Sequence, residues 1–201
     1  QLEYSKLFNS EIAALLNISV DHLERHKTLK NYISAKFKLI KNQKKGHLAF
    51  VKKNDELIQK EISSNKFKGR IIGVNTNKHS SFYKNVKNKY FFTETNHENL
   101  TFVLKLAKYL KLKKKLLLKT IQNFRGLKYR QQIIFQNKNL TIINESKSTS
   151  FSSTIGVLKS NENILWLLGG IHKKGDKFEL PKKYFNNIEA FIFGKDKNFF
   201  N

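Results

Sequence analysis

The chain contains no cysteine and no methionine, a single proline, a single tryptophan and only four arginines among its 201 residues. Each shortage closes off a class of protein. Without Cys there is no disulfide framework, no thiolate zinc site and no Cys nucleophile. No apolar run approaches the ~18 residues that a membrane span needs, and no basic-then-apolar signal segment opens the sequence. The resulting expectation is a cytoplasmic protein. A chain that begins at Gln1 and has no Met anywhere is also expected to be an internal piece of a longer product.

What is abundant is lysine. The formal net charge is +24, which taken alone suggests nucleic acid or an anionic surface as partner. The lysines are scattered over the whole length, however. Arg is the better residue for planar, bidentate phosphate or base contacts, and it is confined to Arg25, Arg70, Arg125 and Arg130. Asn, Ile and Phe are abundant beside Lys, the pattern expected of AT-rich codons. The charge therefore reads as compositional drift that leaves the surface attractive to anions such as ATP. A basic nucleic-acid-binding module stays as the rival from another class, and it predicts steep salt dependence and a clustered basic face.

With 39% apolar residues and 12% aromatics the chain can build one or two cores. The apolar pattern changes period repeatedly. Short runs at Ile12–Ile18, His47–Val51, Arg70–Val74, Leu140–Ile143, Ile164–Leu168 and Glu189–Gly194 predict strands, several fully buried. Between them Thr28–Ile40, Asp55–Ile62, Asn96–Leu110, Lys113–Phe124 and Ser150–Leu158 predict helices. Pro181 opens a short further helix at the tolerated first-turn position. Alternation of strand and helix predicts an α/β fold with mostly parallel sheets. The glycine of Phe124-Arg-Gly-Leu127 is placed to act as a hinge, so two α/β units are expected, over 1–122 and 123–201. The sequence ends seven residues after Gly194 with no closing helix predicted. A sheet cut there would leave an edge or face uncovered, so both units are expected to be truncated.

Two residues stand out by pattern. On the helix capped by Thr28, Leu29, Tyr32, Ile33, Phe37 and Ile40 form the buried stripe, and Lys36 falls inside it. Its methylenes can lie on the core with the ammonium reaching water. Alternatively the amine is partly desolvated and reactive, since burial depresses a lysine pKa; carbamylation would then turn a cation into an oxygen ligand for a hard metal. Fourteen residues upstream, His22 follows a predicted strand, at the carboxyl end where open α/β sheets place ligands. By itself it is equally a structural or surface histidine.

Taken together, Asn17-Ile-Ser-Val-Asp-His-Leu-Glu-Arg-His26 and Tyr32-Ile-Ser-Ala-Lys36 resemble the central-domain signature of the Mur ligases. The resemblance implies that His22 binds magnesium and that Lys36 is carbamylated and assists the metal site. Asn96-His-Glu-Asn99 is similar to the family's H-N-x-x-N element, with Thr95 in place of the usual His, so Asn96 and Asn99 would approach the adenine of ATP. Phe124-Arg-Gly-Leu-Lys-Tyr-Arg130 resembles F-x-G-L-x-H-R at the entry to the C-terminal domain, with Tyr129 in place of His. It implies that Arg130 meets the ATP phosphates. Ile143-Asn-Glu-Ser-Lys-Ser-Thr149 is similar to I-N-D-S-K-A-T, so Glu145 would stand where an aspartate contacts nucleotide. Lys147 and Thr149 would lie near phosphate and the incoming amino acid. Leu167-Leu-Gly-Gly-Ile-His-Lys173 resembles a strand followed by G-G-x-x-K, whose lysine pairs with the substrate carboxylate.

Five motifs in order point to the D-glutamate-adding branch of the family. The resemblance implies the end of a central ATPase domain followed by the start of a Rossmann-like C-terminal domain, each with three-layer-type α/β character. ATP and Mg2+ would be the cofactors, and UDP-N-acetylmuramoyl-L-alanine and D-glutamate the substrates. No nucleic acid or membrane partner is expected, and the full-length protein would be a monomer. Lys36, Arg130 and Lys147 would serve catalysis. The family's glycine-rich phosphate loop and UDP-binding domain are expected upstream of Gln1, and an S-P-x-x-x-S-F-D segment beyond the other end. The chain by itself is then expected to be inactive. The alternative within the same chemistry is another Mur or folylpolyglutamate-type ligase.

Overall fold

A computed structural model describes residues 2–5, 7–19, 23–77, 81–172 and 176–200. It divides into two compact units, one of residues 1–85 and 98–118 and one of residues 86–97 and 119–201. The division falls inside two helices.

In the first unit β1 (Ile12–Leu15), β2 (Leu48–Lys52) and β3 (Arg70–Val74) form a parallel sheet in the order β1-β2-β3. A short helix α1 (Leu23–His26) and a longer α2 (Leu29–Lys41) connect β1 to β2, and α3 (Glu56–Ser63) connects β2 to β3. Parallel strands need such crossovers, because a tight turn can only return the chain antiparallel. Central β2 is buried on both sides, and its two faces meet different partners. Ala49 and Val51 join Ala13, Leu15, Tyr32, Phe37, Ile40 and Ile58 in a core beneath α2 and α3. Leu48 and Phe50 face the other way, onto Val74 and Phe102, with Leu106 packed against them. Phe102 and Leu106 belong to α4 (Glu94–Tyr109), so helices cover the sheet on both faces. This is why β2 reads as a continuous apolar run rather than an alternating one.

Polar side chains fix the ends of these elements. Thr28 caps α2 by accepting the amide of Asn31 at 3.1 Å. Asp55 caps α3 through Oδ1, which accepts from Ile58 N at 3.0 Å, while its Oδ2 accepts from Ile18 N at 3.1 Å. One carboxylate thus joins the helix start to the segment leaving β1.

The second unit takes in α5 (Lys114–Asn123) from Lys119 onward. It contains β4 (Gln132–Gln136) and β5 (Thr141–Asn144), an antiparallel hairpin with a register shift between Ile133 and Phe135. Next come α6 (Phe151–Lys159) and β6 (Ile164–Gly169), which pairs in parallel with β7 (Ile188–Phe193). The strand β4 is not among the sequence expectations, since its Ile-Ile-Phe core lies between glutamines and is exposed along most of its length. A short helix α7 (Lys197–Phe200) follows β7 where none was expected. Over one face of the β6–β7 pair, Trp166 of β6 and Phe151, Phe178, Phe185, Phe199 and Phe200 of flanking segments line a cavity of about 400 Å³. Gly169 is required for the pairing itself, because a Cβ there would come within 2.0 Å of Phe193 O.

Candidate functional site

The expected site residues fall into both units. In the first, Lys36 is half-buried on α2. Its Nζ donates to Asn17 O at 3.0 Å and lies 4.7 Å from the centre of the Tyr32 ring. Both contacts suit an ammonium: a carbonyl oxygen accepts from it, and the ring face attracts positive charge. The stem covers the edge of the core while the tip reaches the segment that leaves β1, as a snorkelling lysine does. The segment continues to His22, which lies outside the described residues. Among the described residues no group of three or more His, Cys, Asp or Glu is arranged to hold a metal ion.

The second unit holds a connected polar cluster. Asn96, in the first turn of α4, is buried to 5% exposure. Its Nδ2 donates to Tyr90 O at 2.8 Å and to Gln131 Oε1 at 2.7 Å, and the Thr93 hydroxyl donates to the same Gln131 oxygen. The backbone N–H of Gln131 donates to Glu145 Oε2 at 2.6 Å, and the Ser148 hydroxyl to Glu145 Oε1 at 2.8 Å. Burial pushes the Glu145 carboxyl above its ordinary pKa, and the hydrogen bonds from Ser148 and Gln131 together with the charge of Arg130 work against that shift. Tyr90 is likewise raised by burial first and the Glu145 charge second.

The loop that presents Arg130 is tightly shaped. Gly126 has φ +76°, and a Cβ on it would come within 2.5 Å of the Tyr90 ring; both features demand glycine. Tyr129 and Gln131 take left-handed φ values of 65° and 46°, on either side of Arg130. Such conformations in non-glycine residues cluster at functional sites. A backbone bond from Arg130 N to Leu127 O at 3.2 Å closes the turn, and Lys147 N donates to Tyr129 O at 3.0 Å, bringing the β5 exit beside it. Arg130, Lys147 and Thr149 are all exposed. Two exposed cations, a buried amide and a partly buried carboxylate on adjoining segments can bind an anionic nucleotide: charge for phosphates, hydrogen-bonding groups for a base or sugar.

The structure therefore brings Asn96, Arg130, Glu145 and Lys147 onto connected segments of one unit. Asn99 is half-buried one turn further along α4, and Lys173 lies outside the described residues. Sequence reasoning missed Gln131, Thr93 and Tyr90, which join the expected residues together. It also missed Asn88, whose Nδ2 donates to Ile121 O at 2.8 Å and Phe124 O at 2.7 Å, closing the end of α5. A further pair sits past the carboxyl ends of β6 and β7: Asp196 Oδ2 lies 2.8 Å from His172 Nδ1 and accepts His172 N at 3.0 Å. Gln131 carried a weak signal, a polar residue directly after a motif arginine; the others carried none.

A family model described as "Mur ligase middle domain" matches residues 1–117. The chain is 33% identical over 218 residues to the UDP-N-acetylmuramoylalanine--D-glutamate ligase of Rickettsia felis, covering 100% of this chain and 48% of that protein. It is 34% identical over 214 residues to the enzyme of the same name from Buchnera aphidicola subsp. Schizaphis graminum, covering 98% and 48%. Among solved structures, the MurF ligase from Thermotoga maritima in complex with ADP aligns with a TM-score of 0.67 at 15% identity, over 93% of this chain and 49% of that one. That similarity shows the α/β fold. The chain spans about half the length of the curated relatives it matches.

Proposed function

The chain belongs to the Mur ligase family, and from that premise we propose that it is part of a cytoplasmic, ATP-dependent ligase that adds D-glutamate to UDP-N-acetylmuramoyl-L-alanine in peptidoglycan synthesis. The observation that carries this reading is the identity, about one residue in three along the whole chain, to enzymes of that name. In the proposed reaction ATP converts the muramoyl substrate's carboxylate to an acyl phosphate, and the amine of D-glutamate attacks it. Residues 1–122 are read as the later part of the central ATP-binding domain and 123–201 as the start of the amino-acid-binding domain. No helix among the described residues is long and apolar enough to cross a membrane.

The roles follow from what each group can do. Asn96 and Asn99 face the adenine. Asn96 is well suited to that contact, because its amide nitrogen is occupied by Tyr90 O and Gln131, leaving its oxygen to accept from an amino group. Arg130 and Lys147 supply positive charge to the phosphates. Glu145 contacts the nucleotide, and burial holds its carboxyl above the ordinary pKa against the opposing hydrogen bonds from Ser148 and Gln131. Thr149 and Lys173 receive the amino acid, Lys173 through its carboxylate.

The magnesium reading rests on donor chemistry. The Lys36 ammonium, held against Asn17 O and the Tyr32 ring, would repel a divalent cation. In this reading Lys36, once carbamylated, and His22 would hold the magnesium. Bound magnesium neutralises charge on a transferring phosphoryl group. The carbamate would add about 44 Da to Lys36, the mass of one CO2 and the change that creates an oxygen ligand, to be sought by native mass spectrometry in bicarbonate.

Two measurements on the purified chain test the reading. D-glutamate should perturb the NMR signal of Thr149, while L-lysine and diaminopimelate should not; equal perturbation by all three would favour another Mur or folylpolyglutamate-type specificity. The chain alone should show no ligase turnover, since no glycine-rich phosphate loop occurs in its sequence. Measurable turnover would overturn that expectation.

A further inference from the structure

A side-chain amide can select a base only if it is held one way round. For Asn96 the orientation is decided by a chain of hydrogen bonds with a single consistent direction. Tyr90 O is a backbone carbonyl and can only accept, so the Asn96 atom 2.8 Å from it must be the nitrogen. The remaining hydrogen of that nitrogen points at Gln131, 2.7 Å away, and the Gln131 atom that receives it must be its oxygen. The same oxygen accepts the Thr93 hydroxyl. Turning the Gln131 amide over would set one NH2 against another.

Gln131 is itself held. It is 7% exposed, and its own N–H is bound to Glu145 Oε2 at 2.6 Å. Its φ of 46° belongs to a region that a non-glycine residue keeps only when its surroundings impose it. With both hydrogens of the Asn96 amide directed inward, the one polar function it has left to offer is an acceptor, Oδ1.

We propose that Gln131 is a positioning residue for base recognition: it locks Asn96 so that the site selects a purine bearing an exocyclic amino donor over one bearing a carbonyl in its place. The inference rests on the reading of Asn96 as a base contact given under Proposed function. Gln131 touches no ligand in this scheme and acts through Asn96 alone.

The experiment uses adenosine and inosine, which differ at that exocyclic group and carry no phosphate. The +24 charge of the chain therefore adds nothing to either affinity. Binding to the isotope-labelled 201-residue chain is followed by NMR titration. The wild type should prefer adenosine by about fivefold, the order of one net hydrogen bond. Gln131→Met, similar in volume but without the acceptor oxygen, should reduce the preference to about twofold or less. Gln131→Glu, which keeps an acceptor oxygen, should retain it; a merely structural role would not separate the two variants this way. Should Gln131→Met not fold, Thr93→Val removes only one donor to the Gln131 oxygen and should give an intermediate preference. A wild type that binds both nucleosides equally overturns the reading of Asn96. A wild-type preference that persists undiminished in Gln131→Met or, failing that, in Thr93→Val overturns the role of Gln131 alone.

Discussion

The parallel sheet β1-β2-β3 and the parallel pair β6–β7 are built from the same kind of sequence, yet they are finished differently. In the first, helices cover both faces, and Phe37, Ile40, Ala49 and Ile58 have no exposure at all. In the second, the aromatic face is gathered around Phe151, Trp166 and Phe178. The other face leaves Leu165 67%, Leu167 72% and Phe193 59% exposed. Parallel sheets are stable when covered on both faces, and a lone two-stranded sheet is marginal in water. The contrast separates two requirements that α/β proteins usually meet together: strands of the right composition, and enough neighbouring chain to bury them.

Phe37→Ala should break the comparison most visibly. The residue is fully buried beneath the three-stranded sheet, and its truncation should cost about 3–5 kcal/mol, read as a fall in denaturation midpoint. Gly126→Ala should come next. It forces a left-handed φ on alanine and drives a Cβ into the Tyr90 ring, at about 2 kcal/mol. NMR shifts should move around Tyr90 and Arg130 and leave β2 untouched.

Asp55→Ala should cost about 1–2 kcal/mol, because the carboxylate both caps α3 and holds Ile18 N. Hydrogen exchange should quicken at Ile58 and Ile18 together, and independent behaviour of those amides would sink the account of a shared anchor.

A pH titration sharpens the comparison within the second unit. The Glu145 pKa is raised by burial, so the folded state binds its proton more readily than the unfolded chain does. Its contribution to stability therefore grows as pH falls from above the raised pKa towards the ordinary value of 4.5. Asp196 works the other way. Its pKa is lowered, first by the backbone hydrogen bond from His172, so the stability it contributes is present above 3.8 and lost as pH falls through the lowered value. Glu145→Gln should abolish the first trend and leave the second, measured by thermal unfolding between pH 7 and pH 3 (roughly the range over which carboxylates titrate).

The smallest effect belongs to Leu167→Ser. On an uncovered strand face it should change stability by no more than about 0.5 kcal/mol while improving solubility. A large loss would mean that this face is covered in solution.

Strand and helix positions were largely legible because period and composition carry them. The Arg70–Val74 strand and the capping role of Thr28 coincide with the structure to the residue. The hairpin strand β4 was not legible, since exposed strands lose the apolar alternation that marks them. Lys36 was visible as a lysine inside an apolar stripe, but pattern could not show that its Nζ meets Asn17 O and the Tyr32 ring. The cluster at Asn96 was legible only in its motif members. The Thr93–Asn96 segment, Gln131 and Glu145 lie far apart along the chain, and a hydrogen bond between distant residues leaves no periodic trace.

The sequence by itself determined the α/β alternation, the family and the order of its motifs, because these depend on local spacing and residue type. Only the tertiary structure decided that β2 is buried on both faces while β6 is not. It alone showed that the amide of Asn96 has one permitted orientation. Burial and hydrogen-bond direction are properties of neighbours in space, and neighbours in space are what folding, rather than sequence adjacency, supplies.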